Sequence, residues 1–247
     1  MADTLIIVPT YNEIDGLEKI VARIRAAVPE ADLLIVDDSS PDGTGALADR
    51  LAAADDGVRV LHRAGKNGLG QAYLAGFDIA LHEGYEFIVE MDADGSHDPA
   101  SLPSMLALAA HGADLVIGSR WVQGGSVVNW PRLRKAISRA GNWYSGVMLR
   151  SNIRDITAGF RVFRASALKD LDLSAVSSQG YCFQVEMAWR LERTGHRIAE
   201  HPITFVERET GRSKMHTGIV VEALLRVTAW GIAATLRGGK PVRAEAS

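Results

Sequence analysis

Cysteine is almost absent from these 247 residues, with Cys182 the single example. One cysteine forms no intramolecular disulfide, and without a Cys/His cluster at ligand spacing a zinc site is excluded too, so a cytosolic setting is the simplest expectation. The opening MADTLIIVPTYNE has no basic leader and reaches Pro9 after a short apolar run, which is not the pattern of a signal peptide. Internal repeats, low-complexity tracts and Gly/Ser linkers are also missing, which favours one domain with a C-terminal extension over two independent ones. Two nucleotide-binding signals are lacking as well. No GxGxxG follows the first apolar run, and Gly65–Gly70 (GKNGLG) lacks the GxxxxGK[ST] form of a P-loop. Dinucleotide oxidoreductases and P-loop NTPases are therefore disfavoured.

What the chain does have is enough apolar material, 47% of residues, to bury a substantial core. Its net charge of −3 conceals an asymmetry. Residues 1–119 carry 20 Asp+Glu against 7 Lys+Arg, whereas residues 120–247 carry 10 against 20. The acidic half suits a cation; the basic half suits phosphate, nucleic acid or an anionic membrane, or is plain solvated surface.

The first half alternates short apolar runs with helical patterns, the signature of βαβ units in an α/β, Rossmann-like, mostly parallel sheet. Strands are expected at Leu5–Val8, Leu33–Asp37, Val58–His62, Phe87–Met91 and Leu115–Ser119, each continuously apolar as if covered by helices on both faces. Helices are expected at Leu17–Val28, Gly45–Ala54, Gln71–His82 and Ser101–Ala110. The second half predicts helices at Pro131–Met148 and Phe183–Arg193 and strands near Phe160–Phe163 and Arg197–Phe205.

Thr217–Leu236 is about as long as a spanning helix. It contains Glu222 and Arg226, however, each costing about 2.5–3.5 kcal/mol near a bilayer centre. These two stand one helical turn apart and can pair on one face. An interfacial, basic amphipathic helix anchored by Arg237, Lys240 and Arg243 fits better than a span, with a helix docked on the core as the equal alternative. Residues 1–215 would then be the main domain and 216–247 a helix with a basic tail.

Open α/β sheets bind ligands beyond the carboxyl ends of their strands. Those ends deliver Thr10, Tyr11, Asn12 and Glu13, then Asp37 and Asp38, then Asp92 and Asp94, and finally Arg120. A core does not explain such residues, since carboxylates are rarely buried unpaired. Asp92 and Asp94 stand at alternate positions after a strand, and hard carboxylates beside a phosphate-bearing ligand suit Mg²⁺ or Mn²⁺. Tyr11, beside polar residues at a strand end, favours stacking on a base. His97 is read as a cap or packing residue, Glu186 equally as a core carboxylate or a site residue, and Arg161 and Arg164 equally as ion-paired structure. Residues 120–164 hold nine Arg/Lys against one acid, Asp155, a cationic cradle suited to an anionic substrate.

PTYNE (Pro9 to Glu13), VDDSSPDGT, MDADGSHDP, GSRW, TAGFRVFR, GYCFQVEM and ERETGRSKM occur in this order. Together they resemble the polyprenol-phosphate mannosyltransferases, the dolichol-phosphate mannose synthase family of inverting GT-A glycosyltransferases, and the Trp-containing stretches GGSVVNWP and SRAGNWY resemble actinobacterial members. The resemblance covers about residues 5 to 216. It implies that Pro9, Tyr11, Glu13, Val36 and Asp38 form the guanosine pocket of GDP-mannose, continued by Asp92 and Ala93. It implies that Asp94 is the metal ligand, with Ser96 where relatives place a second one. Arg120 would contact the donor, and Arg208 and Lys214 would close over its diphosphate. Arg134 and Arg139 are the choices for the acceptor phosphate.

The implied reaction moves mannose from GDP-mannose to a polyprenyl phosphate with inversion, giving polyprenyl-phosphate-mannose and GDP. A related enzyme moving glucose or another sugar from a different nucleotide stays open. With no spanning segment, peripheral attachment to the cytoplasmic face of the membrane is expected, directly or through a membrane-anchoring protein partner. Nucleic acid is not expected as a partner, because the acidic strand-end cluster would repel its phosphates; a catalytically dead scaffold is disfavoured because Asp94, Arg208 and Lys214 are all present.

Overall fold

The computed structural model describes residues 3–66, 68–176, 181–207 and 217–236. Its centre is a seven-stranded sheet among the described residues, built from β1 (Thr4–Thr10), β2 (Asp32–Asp37), β3 (Val58–His62), β4 (Phe87–Glu90), β5 (Leu115–Ser119), β7 (Arg161–Arg164) and β8 (Ile198–Pro202). The order is β3-β2-β1-β4-β7-β5-β8, parallel except for β7, which runs antiparallel between β4 and β5. A two-stranded ribbon pairs β6 (Ser126–Val128) with β9 (Thr204–Val206).

Strands β1, β2, β4 and β5 are buried nearly end to end, because helices cover both faces. The first-half helices are α1 (Ile14–Ala27), α2 (Thr44–Ala54), α3 (Leu69–Glu83) and α4 (Leu102–Ala110). In α1, Leu17, Ile20, Val21 and Ile24 recur at helical spacing and all face the core. In α3, Gly76 lets the helix lie against Ile7 of β1, where an added β-carbon would come within 2.7 Å of the isoleucine side chain.

The later helices are α5 (Arg132–Leu149), the short α6 (Ala165–Lys169), α7 (Tyr181–Arg193) and α8 (Thr217–Leu236). The expected strand Arg197–Phe205 is two strands, β8 and β9, since the chain leaves the main sheet at Ile203 to join the ribbon. The insertion of β7 was not foreseen.

Helix α8 docks on the domain, with Val227 buried and Trp230 stacked on Trp189 of α7 at 5.8 Å between ring centroids. The Tyr144 and Thr228 hydroxyls meet at 2.5 Å. Arg226 donates to Glu222 at 2.9 Å, the expected one-turn pair. Leu225, Ile232 and Leu236 remain exposed, so α8 carries apolar side chains both on its docked face and towards solvent. The basic residues Arg237, Lys240 and Arg243 lie outside the described residues. Among the described residues no helix is long and apolar enough to cross a membrane.

The α5–α8 contact depends on Gly231, where an added β-carbon would stand 2.4 Å from the Met148 carbonyl oxygen. Overpacking of this kind costs about 1–3 kcal/mol. Gly231→Ala is therefore expected to lower the melting temperature by about 2–10 °C, read by circular dichroism; an unchanged transition would mean that α8 does not hold this position.

Candidate active site

The carboxyl ends of β1, β2 and β4 open into a cleft of about 480 Å³. Its first wall carries Pro9, Tyr11, Glu13 and Asp38. Asp38 is locked to Arg63 at 2.6 Å. Beside it Asp37, at the end of β2, accepts from the hydroxyls of Thr10 at 3.0 Å and Ser40 at 2.6 Å, and this bonding shapes the strand-end loop. Lys66 lies 3.9 Å above the Tyr11 ring, so one face of the expected stacking residue already meets an ammonium. Nothing in the GKNGLG pattern had singled out Lys66 as a cleft residue. The Val36 side chain is fully buried in the core, in register with Pro9, and does not line the cleft.

The floor is the loop after β4. Asp92, Ala93, Asp94, Ser96 and His97 all line the cleft. Ser96 donates its N–H to Asp94 Oδ1 at 3.0 Å, and its buried hydroxyl has no hydrogen-bond partner among the described residues. Tyr73 donates to Asp92 at 3.4 Å, a long contact. Carboxylates and a hydroxyl on one wall are a hard-oxygen set that fits Mg²⁺ or Mn²⁺. Among the described residues no three His, Cys, Asp or Glu side chains converge to hold a metal unaided, so such a site needs ligand phosphate or water to complete it.

His97 is a cleft residue rather than only a packing one. Its ring stacks on Phe160 at 5.1 Å, and its Nδ1 accepts the Asp92 N–H at 3.2 Å. Burial lowers its pKa, which keeps the imidazole neutral and able to accept.

The far wall is cationic and aromatic. Arg120 lines the cleft, yet its Nε and Nη2 bind Asp155 at 2.8 and 2.6 Å, and Nη2 also donates to Thr157 at 3.0 Å. Its guanidinium lies 5.4 Å from the Trp130 ring and 5.5 Å from that of Phe205. Arg134 also lines the cleft, paired with Glu207 and 4.2 Å from the Trp130 ring. Arg139 lies outside the cleft lining, its guanidinium 4.8 Å from the Trp121 ring. Arg208 and Lys214 lie outside the described residues, although Glu207, just before Arg208, is held at the cleft by its N–H to the Val128 carbonyl at 3.2 Å.

Arg161 is fully buried, and Arg164 pairs with Glu86 at 2.6 Å. Glu186 is buried and pairs with Arg190 at 2.5 Å. Asp155, first noticed only as the lone acid of the basic segment, is the fully buried partner that fixes Arg120.

Comparison with known proteins agrees with this architecture. The profile of Glycosyl transferase family 2 matches residues 5–172. An undecaprenyl-phosphate mannosyltransferase of Micrococcus luteus is 58% identical over 95% of this chain and 96% of its own length. A polyprenol monophosphomannose synthase of Mycolicibacterium smegmatis is 54% identical over 93% and 87%. Among solved structures, a mannosyltransferase from Pyrobaculum calidifontis in complex with GDP-Man and Mn²⁺ superposes with a TM-score of 0.62 at 18% identity, over 97% of this chain and 65% of that one. Glucosyl-3-phosphoglycerate synthase from Mycobacterium tuberculosis with Mn²⁺ and UDP-Glc gives 0.64 at 18% identity, over 93% and 78%. At those identities the structures speak for the GT-A fold alone. Taken with the strand-end cleft and the near full-length relatives, the chain belongs to glycosyl transferase family 2 and, within it, to the polyprenyl-phosphate mannosyltransferases.

Proposed function

We propose that this enzyme transfers mannose from GDP-mannose to a polyprenyl phosphate with inversion at the anomeric carbon. The observation that carries this reading is the 58% identity to an undecaprenyl-phosphate mannosyltransferase across 95% of the chain. The cleft supports it chemically. Its acidic floor and cationic wall suit a ligand whose phosphates meet both, and its aromatic lining suits a base and a lipid phosphate.

In this reading Pro9, Tyr11, Glu13 and Asp38 hold the guanosine, with Asp92 and Ala93 beside them. Asp94 holds a divalent cation, Mg²⁺ or Mn²⁺, with Ser96 close by; when bound, that cation supplies charge for a departing diphosphate. Arg120 keeps positive charge beside the donor, while its fixed pairing prevents it from swinging away. Arg208 and Lys214 close over the diphosphate, a role consistent with the anchoring of Glu207 at the cleft. Arg134 steers the acceptor phosphate, and Arg139, outside the cleft lining, attracts it from further out. With a second pKa near about 6, the acceptor phosphate is mostly a dianion at neutral pH and nucleophilic without a strong base. The protein's task is to hold two anions in line and to stabilise the leaving group.

Residues 216–247 we assign to attachment at the cytoplasmic face of the membrane, since Leu225, Ile232 and Leu236 present apolar surface on α8. The decisive assay is transfer of radiolabelled mannose from GDP-mannose to a short polyprenyl phosphate, with Mg²⁺, Mn²⁺ or EDTA. A mild-acid-labile mannolipid that EDTA abolishes is expected. Product from UDP-glucose but none from GDP-mannose would keep the site and replace the donor.

A further inference from the structure

Behind the cleft three polar residues are buried without a part in the scheme above. Glu90, the last residue of β4, is fully buried and in register with Ile7 on one side and Arg161 on the other. Neither of its carboxyl oxygens has a hydrogen-bond partner among the described residues. Burial pushes this carboxyl up to about 8, against the opposing influence of the Arg161 charge and the neighbouring Gln184 carboxamide. Gln184, on α7, is 3% exposed and lines the cleft; the Glu90 carboxyl is its polar neighbour, and its carboxamide oxygen is buried without a hydrogen-bond partner among the described residues.

Arg161 explains why these groups stay where they are. Its guanidinium donates to the main-chain carbonyls of Ala158 at 2.8 Å, Gln184 at 2.7 Å and Ile156 at 2.8 Å. The backbone of α7 is thereby pinned at Gln184, and Arg161 meets Glu90 through its charge, its hydrogen bonds going to carbonyls. A buried carboxamide oxygen without a donor is unfavourable, so its position at a ligand cleft calls for a complement from the ligand.

Location narrows that complement. Gln184 Nε2 and His97 Cε1 each lie 3.9 Å from where a β-carbon on Gly159 would stand, and His97 in turn holds the Asp92 N–H. Gln184 thus faces the part of the cleft around His97, one step on from the Asp92 end of the guanosine pocket, where the donor's sugar belongs if the proposed function holds. A sugar hydroxyl both donates and accepts and so matches either end of the carboxamide, whereas phosphate oxygens match only the N–H end.

We propose that Gln184 is a specificity-determining residue that hydrogen-bonds a hydroxyl of the transferred sugar, and that Glu90, behind it, is the positioning residue that holds its carboxamide towards the cleft. A site built to bond a hydroxyl discriminates strongly against the analogue that lacks it, because its own polar group is then left unpaired.

The test uses the full chain, a short polyprenyl phosphate, and GDP-mannose beside donors lacking one sugar hydroxyl each. Wild type should lose about tenfold or more in kcat/KM with one of the deoxy donors. Gln184→Met, similar in size without an amide, should lose about tenfold with GDP-mannose and discriminate against that same deoxy donor by less than about twofold. Glu90→Gln should weaken that one discrimination and leave the KM for polyprenyl phosphate unchanged, which a merely structural role would not do. Full wild-type discrimination in Gln184→Met, or an equal loss with every donor, would overturn the proposal. Gln184→Asn, which withdraws the amide by one methylene, provides the same comparison if the methionine variant does not fold. If another nucleotide sugar proves to be the donor, the GDP-mannose assignment fails while the deoxy comparison on that donor still tests Gln184.

Discussion

Replacing Asp94 with asparagine is expected to cut mannose transfer about 100- to 1,000-fold, the loss seen when one group stabilising a transition-state charge is removed. The melting temperature should stay within about 2 °C, as for a change that leaves packing intact. The asparagine oxygen can still accept the Ser96 N–H that now reaches Asp94 Oδ1 at 3.0 Å, so the loop after β4 keeps its shape. What disappears is one negative charge from an oxygen set too small to hold a cation unaided. Raising Mn²⁺ should therefore restore part of the rate. Activity within tenfold of wild type at ordinary Mn²⁺ would mean that Asp94 is not a ligand, and a large fall in melting temperature would make the residue structural.

The second large effect concerns stability. Asp155 is fully buried and accepts from the Arg120 main-chain N–H at 2.8 Å, from its Nε at 2.8 Å and from its Nη2 at 2.6 Å. Asn142 contributes a further bond at 3.3 Å. Asp155→Ala strands a guanidinium whose side chain is only 10% exposed, and removing one partner of a buried pair costs about 3–5 kcal/mol. For a chain of this size that is a fall of about 6–20 °C in melting temperature. Transfer should fall as well, because Arg120 loses the bonds that aim it past Thr157. A change under 2 °C would show that Arg120 finds another anion or reaches solvent.

The first-half strands and helices were legible because burial on both faces leaves continuous apolar runs, and helical spacing survives in α1 through α4. Asp92 and Asp94 were legible because acids directly after an apolar strand have no core explanation. The place of β7 was hidden: Arg161–Arg164 is short, and its arginines read as surface although Arg161 is fully buried on three carbonyls. Partnership across the chain was hidden too. Nothing local joins Asp155 to Arg120, Glu90 to Gln184, or Lys66 to Tyr11, and His97 looks like any cap until Asp92 is seen donating to it. The inward aim of the Val36 side chain was hidden as well, because a residue can adjoin a site in sequence while its side chain faces the core.

Strand order also dictates the sequence of assembly. Every partner of β3, β2 and β1 lies within residues 4–90, so that half can zip together as soon as it is synthesised. β5 is different: its neighbours are β7 and β8, both made later, and the outer edge of β4 likewise waits for residues 161–164. A nascent chain halted between residues 120 and 160 carries three bare, apolar strand edges, one on β4 and two on β5, of the kind that pair with other chains. The rate at which the ribosome delivers the segment up to Arg164 thus sets how long this protein is exposed to aggregation, and a chaperone that binds extended apolar strands would find its target in Leu115–Ser119.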